Sequence, residues 1–460
     1  MVNSAEVAQA AQPSCDARAE PRELGRSEGR WREARGSVTG TLCRRMPHEL
    51  RHSGPAPIHG SYAEGFRPVA EAFAARFRDG GEVREIGAGL TVYHRGRCVV
   101  DLWGGLADVE RGAPWQRDTR VVVYSVTKGL VAMALALLAD QGRLAWDAPV
   151  SSYWPGFARE GKADISCRTL FNHQGGLAGL DEPITLEDCV LPERRERLVE
   201  ALERQRPLWE PGQGQGYHAL SFGLYASELF RRITGERIGS FLARELFEPL
   251  EADVSLGTPS SVDHRIASLY PPRPAYRLGK MLASLVVGEN TEARVLRASL
   301  TRGSLTRKAF FNPRGADPEQ WNRLDVRRGE MASGSATASA HGIARAYLPF
   351  ASAGSFGGRS YLRAESLLPV YERQGWSERD RVLQKPLGWS QGFLKEEPQI
   401  FSPTRESFGH AGIGGALGWC DPVKELTIGY ALNHLDWRVR SPRALALCRA
   451  LYECEPVRES

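Results

Sequence analysis

Ser125 and Lys128 stand three residues apart in Tyr124-Ser125-Val126-Thr127-Lys128, a Ser-x-x-Lys element at the start of a long apolar run. On a helix, side chains three apart share a face. An amine at 128 therefore reaches a hydroxyl at 125 and accepts its proton, provided its own pKa has fallen. A free lysine titrates near ~10.4, so working near neutrality requires a fall of about 3 units, or roughly 4 kcal/mol of desolvation and like-charge repulsion. A buried helix start supplies both, because the helix dipole disfavours an ammonium there. The chemistry would be nucleophilic attack by a serine hydroxyl activated by a neutral amine.

The spacing is uncommon in this composition. The chain holds seven lysines against a background of arginine, so roughly 0.4 Ser-x-x-Lys elements are expected if serine is about 6% of residues; one occurs. The plainer alternative is a helix-capping serine followed by a solvated lysine. Leu130–Leu138 (LVAMALALL) is apolar all round, which implies a central, buried helix and argues against simple solvation of a lysine one turn ahead of it. The same residues also spell Tyr-x-x-x-Lys, as in short-chain dehydrogenases. That reading lacks its Gly-rich turn and its upstream serine, there being no serine between Ser61 and Ser125.

Two further segments can complete a serine site. Trp209–His218 (WEPGQGQGYH) is a Gly/Pro-rich loop that delivers Tyr217 and His218 just before a helical pattern. A phenol there can share a proton with Ser125 and Lys128 as base or relay; the alternative is a core tyrosine under a flexible loop. Gly409–Gly415 (GHAGIGG) precedes a strand. Glycine this dense lets backbone approach a ligand closely, and free N–H groups there could join that of Ser125 in an oxyanion hole. A purely structural glycine bulge is the alternative. Neither Gly-rich segment has the strand–turn–helix context of a nucleotide-binding loop. His218 and His410 find no third metal ligand at a helpful spacing, so neither a metal nor a cofactor is expected.

These elements need a frame. A helical pattern covers 64–78, with Phe66, Val69, Phe73 and Phe77 at three- to four-residue spacing. Strands are expected at Leu90–Tyr93 and Cys98–Trp103, joined by His94-Arg95-Gly96-Arg97, and again at Gly415–Cys420 and Leu426–Asn433 around Asp421-Pro422. Helices are expected at 195–205, 221–234 and 441–453, and 270–330 reads as irregular and Arg-rich. Hairpins at both ends with helices between predict an α+β fold: an antiparallel sheet built from N- and C-terminal strands, flanked by helices, with a mainly helical region inserted. The expected organisation is a weakly structured extension over 1–56 and one domain over 57–460. Its α/β part falls at about 57–150 and 335–460, and its helical and loop part at about 151–334.

Bulk properties exclude other classes. A formal charge of +5 over 460 residues makes no case for nucleic acid. Lys128 interrupts the apolar stretch 121–138, leaving it too short to span a bilayer. The first residues have neither a basic n-region nor an apolar core, so no secretory signal is read, and Met46 is a second candidate start. The eight cysteines show no metal-type spacing. Reduced thiols in the cytoplasm are the expectation.

Taken together, the segments around Ser125, Ile165–Leu177 (ISCRTLFNHQGGL), Pro211–Gly223 and Phe408–Leu417 resemble the serine β-lactamase-like superfamily. This group includes class C β-lactamases, penicillin-binding proteins, D-aminopeptidases and family-VIII carboxylesterases. The resemblance runs from about residue 60 to 452 and is nearest to the esterase branch. It implies a β-lactamase/transpeptidase-like fold and a cofactor-independent hydrolase. Ser125 would be the acylated nucleophile, Lys128 would help to deprotonate it, and Tyr217 would serve as base and later activate water. The backbone N–H groups of Ser125 and Ile413 would form the oxyanion hole. His410-Ala411-Gly412 aligns with the Lys-Thr-Gly strand of β-lactamases, so His218, His410, Gly412 and Trp389 are the expected substrate-binding residues. Phe310, Phe311 and Trp321 are candidates for an acyl pocket. Two departures matter. Ala219 replaces the Asn of the Tyr-x-Asn motif, and neutral His410 replaces the strand lysine. Both point away from β-lactamase and carboxypeptidase and toward neutral acyl substrates, with a small-molecule ester as the expected partner. Acyl transfer, β-lactam or D-amino-acid amide hydrolysis, and a non-catalytic binding role are the alternatives.

Overall fold

The alternating apolar runs at the two ends of the chain pair with one another. In the computed structural model, which describes residues 57–78, 84–286, 290–395 and 401–460, three strands precede the helix-rich stretch: β1 (Ile58–Tyr62), β2 (Gly87–His94) and β3 (Arg97–Asp108). Six follow it: β4 (Gly375–Ser377), β5 (Leu387–Ser390), β6 (Phe393–Lys395), β7 (Phe408–Ala411), β8 (Leu417–Asp421) and β9 (Leu426–Leu432). Their order is β1-β3-β2-β9-β8-β7-β6-β5-β4, antiparallel throughout, with the short Ala113–Pro114 segment added beside β3. The join between the two ends is the β2–β9 pair, running from His94 opposite Leu426 to Ala88 opposite Leu432. The α+β expectation therefore holds. The extension expected over 1–56 lies outside the described residues.

Both β2 and β9 are buried along their whole length, as strands covered on both faces are. The principal helices are α1 (Arg67–Ala75), α2 (Val126–Asp140), α3 (Arg195–Arg204), α4 (Ser221–Thr234), α5 (Pro274–Val286), α6 (Thr291–Leu300), α7 (Leu305–Phe311), α8 (Ala340–Ala346) and α9 (Pro442–Glu453). Helices α2 and α8 meet the sheet on one face: a Cβ added at Gly418 of β8 would sit 2.9 Å from Ile343 and 3.0 Å from Val126. Helix α1 buries Val69 and Phe73 and packs against α9. Helix α2 lies between the sheet and α4, which explains its apolar sequence: Val126 to Leu138 is buried without interruption.

The stretch 270–330 departs from the irregular segment expected. It holds α5, α6 and α7, with Asn290 and Ser304 capping α6 and α7 through side-chain oxygens that accept from the backbone. Scattered arginines mask the helical periodicity, because a helix that buries a narrow stripe tolerates charge on its remaining face. Among the described residues, no helix is long and apolar enough to cross a membrane.

Candidate active site

Ser125 occupies the N-cap of α2, but its side chain makes no capping hydrogen bond. The hydroxyl instead meets two other groups. Lys128 Nζ lies 3.2 Å from Ser125 Oγ, and Tyr217 donates its phenolic hydrogen to the same oxygen at 2.9 Å. The residue before the nucleophile is strained: Tyr124 holds φ at 47°, unfavourable for a bulky side chain. Its ring is buried against Trp321, and its hydroxyl donates to Pro318 O at 3.0 Å. That anchoring maintains a sharp turn presenting Ser125 at the cavity floor.

Lys128 is fully buried, and its other hydrogen-bond partner among the described residues is the carbonyl of Ser333 at 2.7 Å. No carboxylate appears among its described partners. Burial alone pushes its pKa well below the ordinary lysine range, since an ammonium without a counter-ion is costly to desolvate. The Tyr217 phenol moves the other way, raised by burial. Burial thus biases the amine toward accepting a proton and the phenol toward keeping its own. Trp389 stacks on the Tyr217 ring at 5.7 Å and 10° between planes.

The glycines near the end of β7 allow close approach. A Cβ at Gly412 would stand 2.4 Å from the carbonyl oxygen of Val123, so any side chain there would drive the strand end away from the nucleophile's turn. Gly414 and Gly415 follow at φ of 84° and 121°, backbone open to glycine. The turn is held from behind: Arg443, buried and paired with Glu85 at 2.7 Å, donates through Nη2 to Gly414 O at 2.5 Å. This positions Ile413, which is 42% exposed, on the cavity wall.

The cavity has a volume of about 300 Å³. Ser125, Tyr217, Ala219, Trp389, His410, Gly412 and Ile413 line it, together with Phe310, Phe311 and Trp321. His410 is buried with Nδ1 placed 2.9 Å from Ala411 O. A neutral ring then donates from Nδ1 and leaves Nε2 as an acceptor with no hydrogen-bond partner among the described residues. Burial first, and the Lys128 charge second, push its pKa down to about 3, so it carries no positive charge for a substrate carboxylate.

His218 does not join this group. It lies outside the cavity lining with both ring nitrogens in use: Nδ1 is 2.7 Å from Gly216 O, and Nε2 accepts from Leu177 N at 3.1 Å. The substrate contact expected of it gives way to a structural one that ties the Gly-rich loop to Leu177. Three supports were not anticipated. His173, at φ 62°, accepts from the His218 backbone N–H at 3.0 Å and sets its ring edge-on to Trp389 at 4.0 Å. Asp380 accepts from the backbone N–H groups of Tyr217, Val382 and Leu383 at 3.1, 2.9 and 2.8 Å. Ser333 supplies the carbonyl for Lys128. A local signal existed only for Asp380, in the Asx-type turn of Asp380-Arg381-Val382-Leu383.

Known proteins resemble this chain over most of its length. The family model described as Beta-lactamase matches residues 73–450. The chain is 32% identical to the esterase/beta-lactamase LipL of Mycobacterium tuberculosis (strain ATCC 25618 / H37Rv) over 395 residues, 83% of this chain and 85% of that protein. The crystal structure of a family VIII carboxylesterase superposes with a TM-score of 0.73 at 32% identity, covering 86% of this chain and all of that one. A penicillin-binding protein homologue from Caulobacter crescentus superposes with a TM-score of 0.72 at 31% identity, over 86% and 99% of the two chains.

Proposed function

The chain belongs to the β-lactamase family, and from that premise we propose that it is a serine hydrolase of carboxylic esters, acting through an acyl intermediate on Ser125 without a cofactor. The observation that carries the reading is the convergence of Lys128 Nζ and Tyr217 Oη on Ser125 Oγ, with Lys128 buried and lacking a carboxylate among its described partners.

Neutral Lys128 takes the Ser125 proton as Oγ attacks the ester carbonyl. The N–H groups of Ser125 and Ile413 receive the oxyanion; such donors are worth roughly 3–4 kcal/mol each in the transition state. Tyr217, kept protonated by burial, passes its proton to the leaving alkoxide and is reprotonated from Lys128. The alcohol departs, water enters, and the same pair runs in reverse to release the acid. Lys128 is thus the acylation base and Tyr217 the relay.

Three features favour neutral esters over β-lactams or peptide C-termini. Ala219 offers no carboxamide, uncharged His410 offers no cation at the strand, and the wall exposes more apolar than polar surface. The name of the family VIII carboxylesterase points the same way, while that of LipL covers both ester and β-lactam hydrolysis. The test is turnover of p-nitrophenyl acetate and butyrate by wild type and Ser125→Ala, with a chromogenic cephalosporin alongside and a fluorophosphonate to label the serine. Ester turnover and labelling that both vanish in the variant, with little cephalosporin cleavage, are expected. Comparable cephalosporin turnover would overturn the ester preference, and activity surviving Ser125→Ala would overturn the nucleophile.

A further inference from the structure

Helix α5 has an apolar stripe facing away from the protein. Leu278, Leu282 and Val286 recur at four-residue spacing and are 51%, 46% and 88% exposed. On an adjoining side of the same helix, Arg277 and Met281 line the active-site cavity. The exposure continues on the neighbouring helices at Leu300 and Phe311, the latter also on the cavity wall. Of eleven large exposed hydrophobic side chains among the described residues, six lie between Tyr276 and Phe311, so the patch is local and adjoins the mouth. Isolated exposed leucines need no explanation, whereas a concentration of them marks a contact surface.

The charge of the same stretch identifies what it contacts. From Arg273 to Lys308 the sequence has eight Arg or Lys against Glu289 and Glu292, a net of +6. The whole chain carries +5, so its basic excess is concentrated here. Arg273, Arg297, Arg302 and Arg307 are exposed, and Arg307 lies over the Phe311 ring at 5.3 Å. A second copy of the chain would bring +6 against +6, which opposes a self-complementary interface. An anionic lipid surface suits both parts, because an amphipathic helix binds there through buried apolar area and through its basic residues.

We propose that α5 and the adjoining exposed residues of α6 and α7 dock on an anionic lipid surface, bringing the cavity mouth to esters held in the lipid phase. The docking stands by itself; the lipid-phase substrate rests on the esterase reading.

The test compares wild type with Leu278→Asp/Leu282→Asp, neither residue lining the cavity. Co-sedimentation uses phosphatidylcholine vesicles with and without one third phosphatidylglycerol. Turnover is measured on soluble p-nitrophenyl acetate and on a long-acyl p-nitrophenyl ester dissolved in the vesicles. Wild type is expected to bind the anionic vesicles at least about tenfold more tightly than the neutral ones, and the variant at least about tenfold more weakly than wild type. Acetate turnover should stay within about twofold while turnover of the embedded ester falls. An unchanged thermal midpoint shows that the variant is folded even if neither ester is a substrate. Equal sedimentation of the two proteins, or equal binding to both vesicle types, overturns the docking. A wild-type dimer that the variant converts to monomer assigns the surface to a second copy and overturns it as well. Docking with no gain on the embedded ester overturns the substrate half alone.

Discussion

Two lysines of this chain are fully buried, Lys128 and Lys162, and their surroundings differ in kind. Lys162 Nζ donates to three carbonyls, those of Arg159, Glu203 and Gln205, at 2.9, 2.6 and 2.7 Å. All three of its hydrogens are used, and Glu160 and Glu203 lie near. Burial lowers its pKa, yet only to about 8, so it remains an ammonium at neutral pH. Lys128 has one carbonyl and one hydroxyl. Nothing holds three hydrogens in place, and its pKa falls well below the ordinary range. Burial depresses both lysines; what the ammonium finds to donate to decides whether the result is a strut or a base.

Substituting each lysine by methionine should separate these roles. Lys128→Met removes the base, and with Ser125→Ala it defines the largest expected effect, a fall in kcat/KM on p-nitrophenyl acetate of about 10⁴-fold. Lys162→Met should leave kcat/KM within about twofold but strand one buried and two partly buried carbonyls, lowering stability by roughly 2 kcal/mol in urea unfolding. Comparable activity losses in the two variants would erase the distinction.

Stability should respond to pH through the same contrast. The unfolded chain holds the Lys128 proton up to about pH 10.4, while the folded chain gives it up well below that. Across this window the unfolded state binds more protons, so stability rises with pH and is lost as pH falls toward the folded pKa. Wild type thus carries a penalty at neutral pH that methionine does not. Lys128→Met is expected to unfold at higher urea concentration than wild type at pH 7, with the gap closing toward pH ~10.4. The activity limb has the matching sign: kcat/KM should fall as acid converts Lys128 to the ammonium, with its midpoint well below that of a free lysine. A midpoint near the free-lysine value would remove Lys128 as the base.

Tyr217→Phe comes next. It keeps the stack on Trp389 and removes the proton bridge to Ser125, with an expected loss of about 10²- to 10³-fold in kcat and little change in KM. A larger effect on KM would make Tyr217 a binding residue.

What the sequence disclosed follows the range of the contacts. Ser125 and Lys128 are one helical turn apart, so their meeting was legible from spacing. Tyr217 required the resemblance, since 92 residues separate it from Ser125. Asp380 showed its local turn but not its hold on the Tyr217 backbone N–H 163 residues away, and Ser333, 205 residues from Lys128, left no trace, because pairing across such separations is decided by the fold. His218 misled for a local reason. Adjacent loop residues send their side chains different ways, so Tyr217 reaches the cavity and His218 returns to Gly216 O. Four strands of the sheet, β2, β3, β8 and β9, were legible because large apolar residues recur at alternate positions, while β1 and β4 to β7 are too short or too glycine-rich to show that period; α5 to α7 were obscured by the arginines on their exposed sides.

The smallest expected effect concerns Asp380, which stands to Tyr217 as Ser333 stands to Lys128. Its Oδ1 accepts three backbone N–H groups, while Oδ2 and the nearby Gln215 Oε1 are buried acceptors with no hydrogen-bond partner among the described residues. Burial raises the Asp380 pKa, and a proton on Oδ2 would let it donate to that glutamine oxygen. On this account the residue matters as an acceptor and a neutral donor, not as a charge. Asp380→Asn reproduces both, with Nδ2 in place of the protonated oxygen, and should change kcat by no more than about threefold. Asp380→Ala removes the acceptor, frees the Tyr217 backbone, and should cost about tenfold in kcat through misplacement of the phenol. If Asn proves as damaging as Ala, the carboxylate acts as an anion and the neutral assignment fails. If neither variant changes kcat, Trp389 alone positions Tyr217.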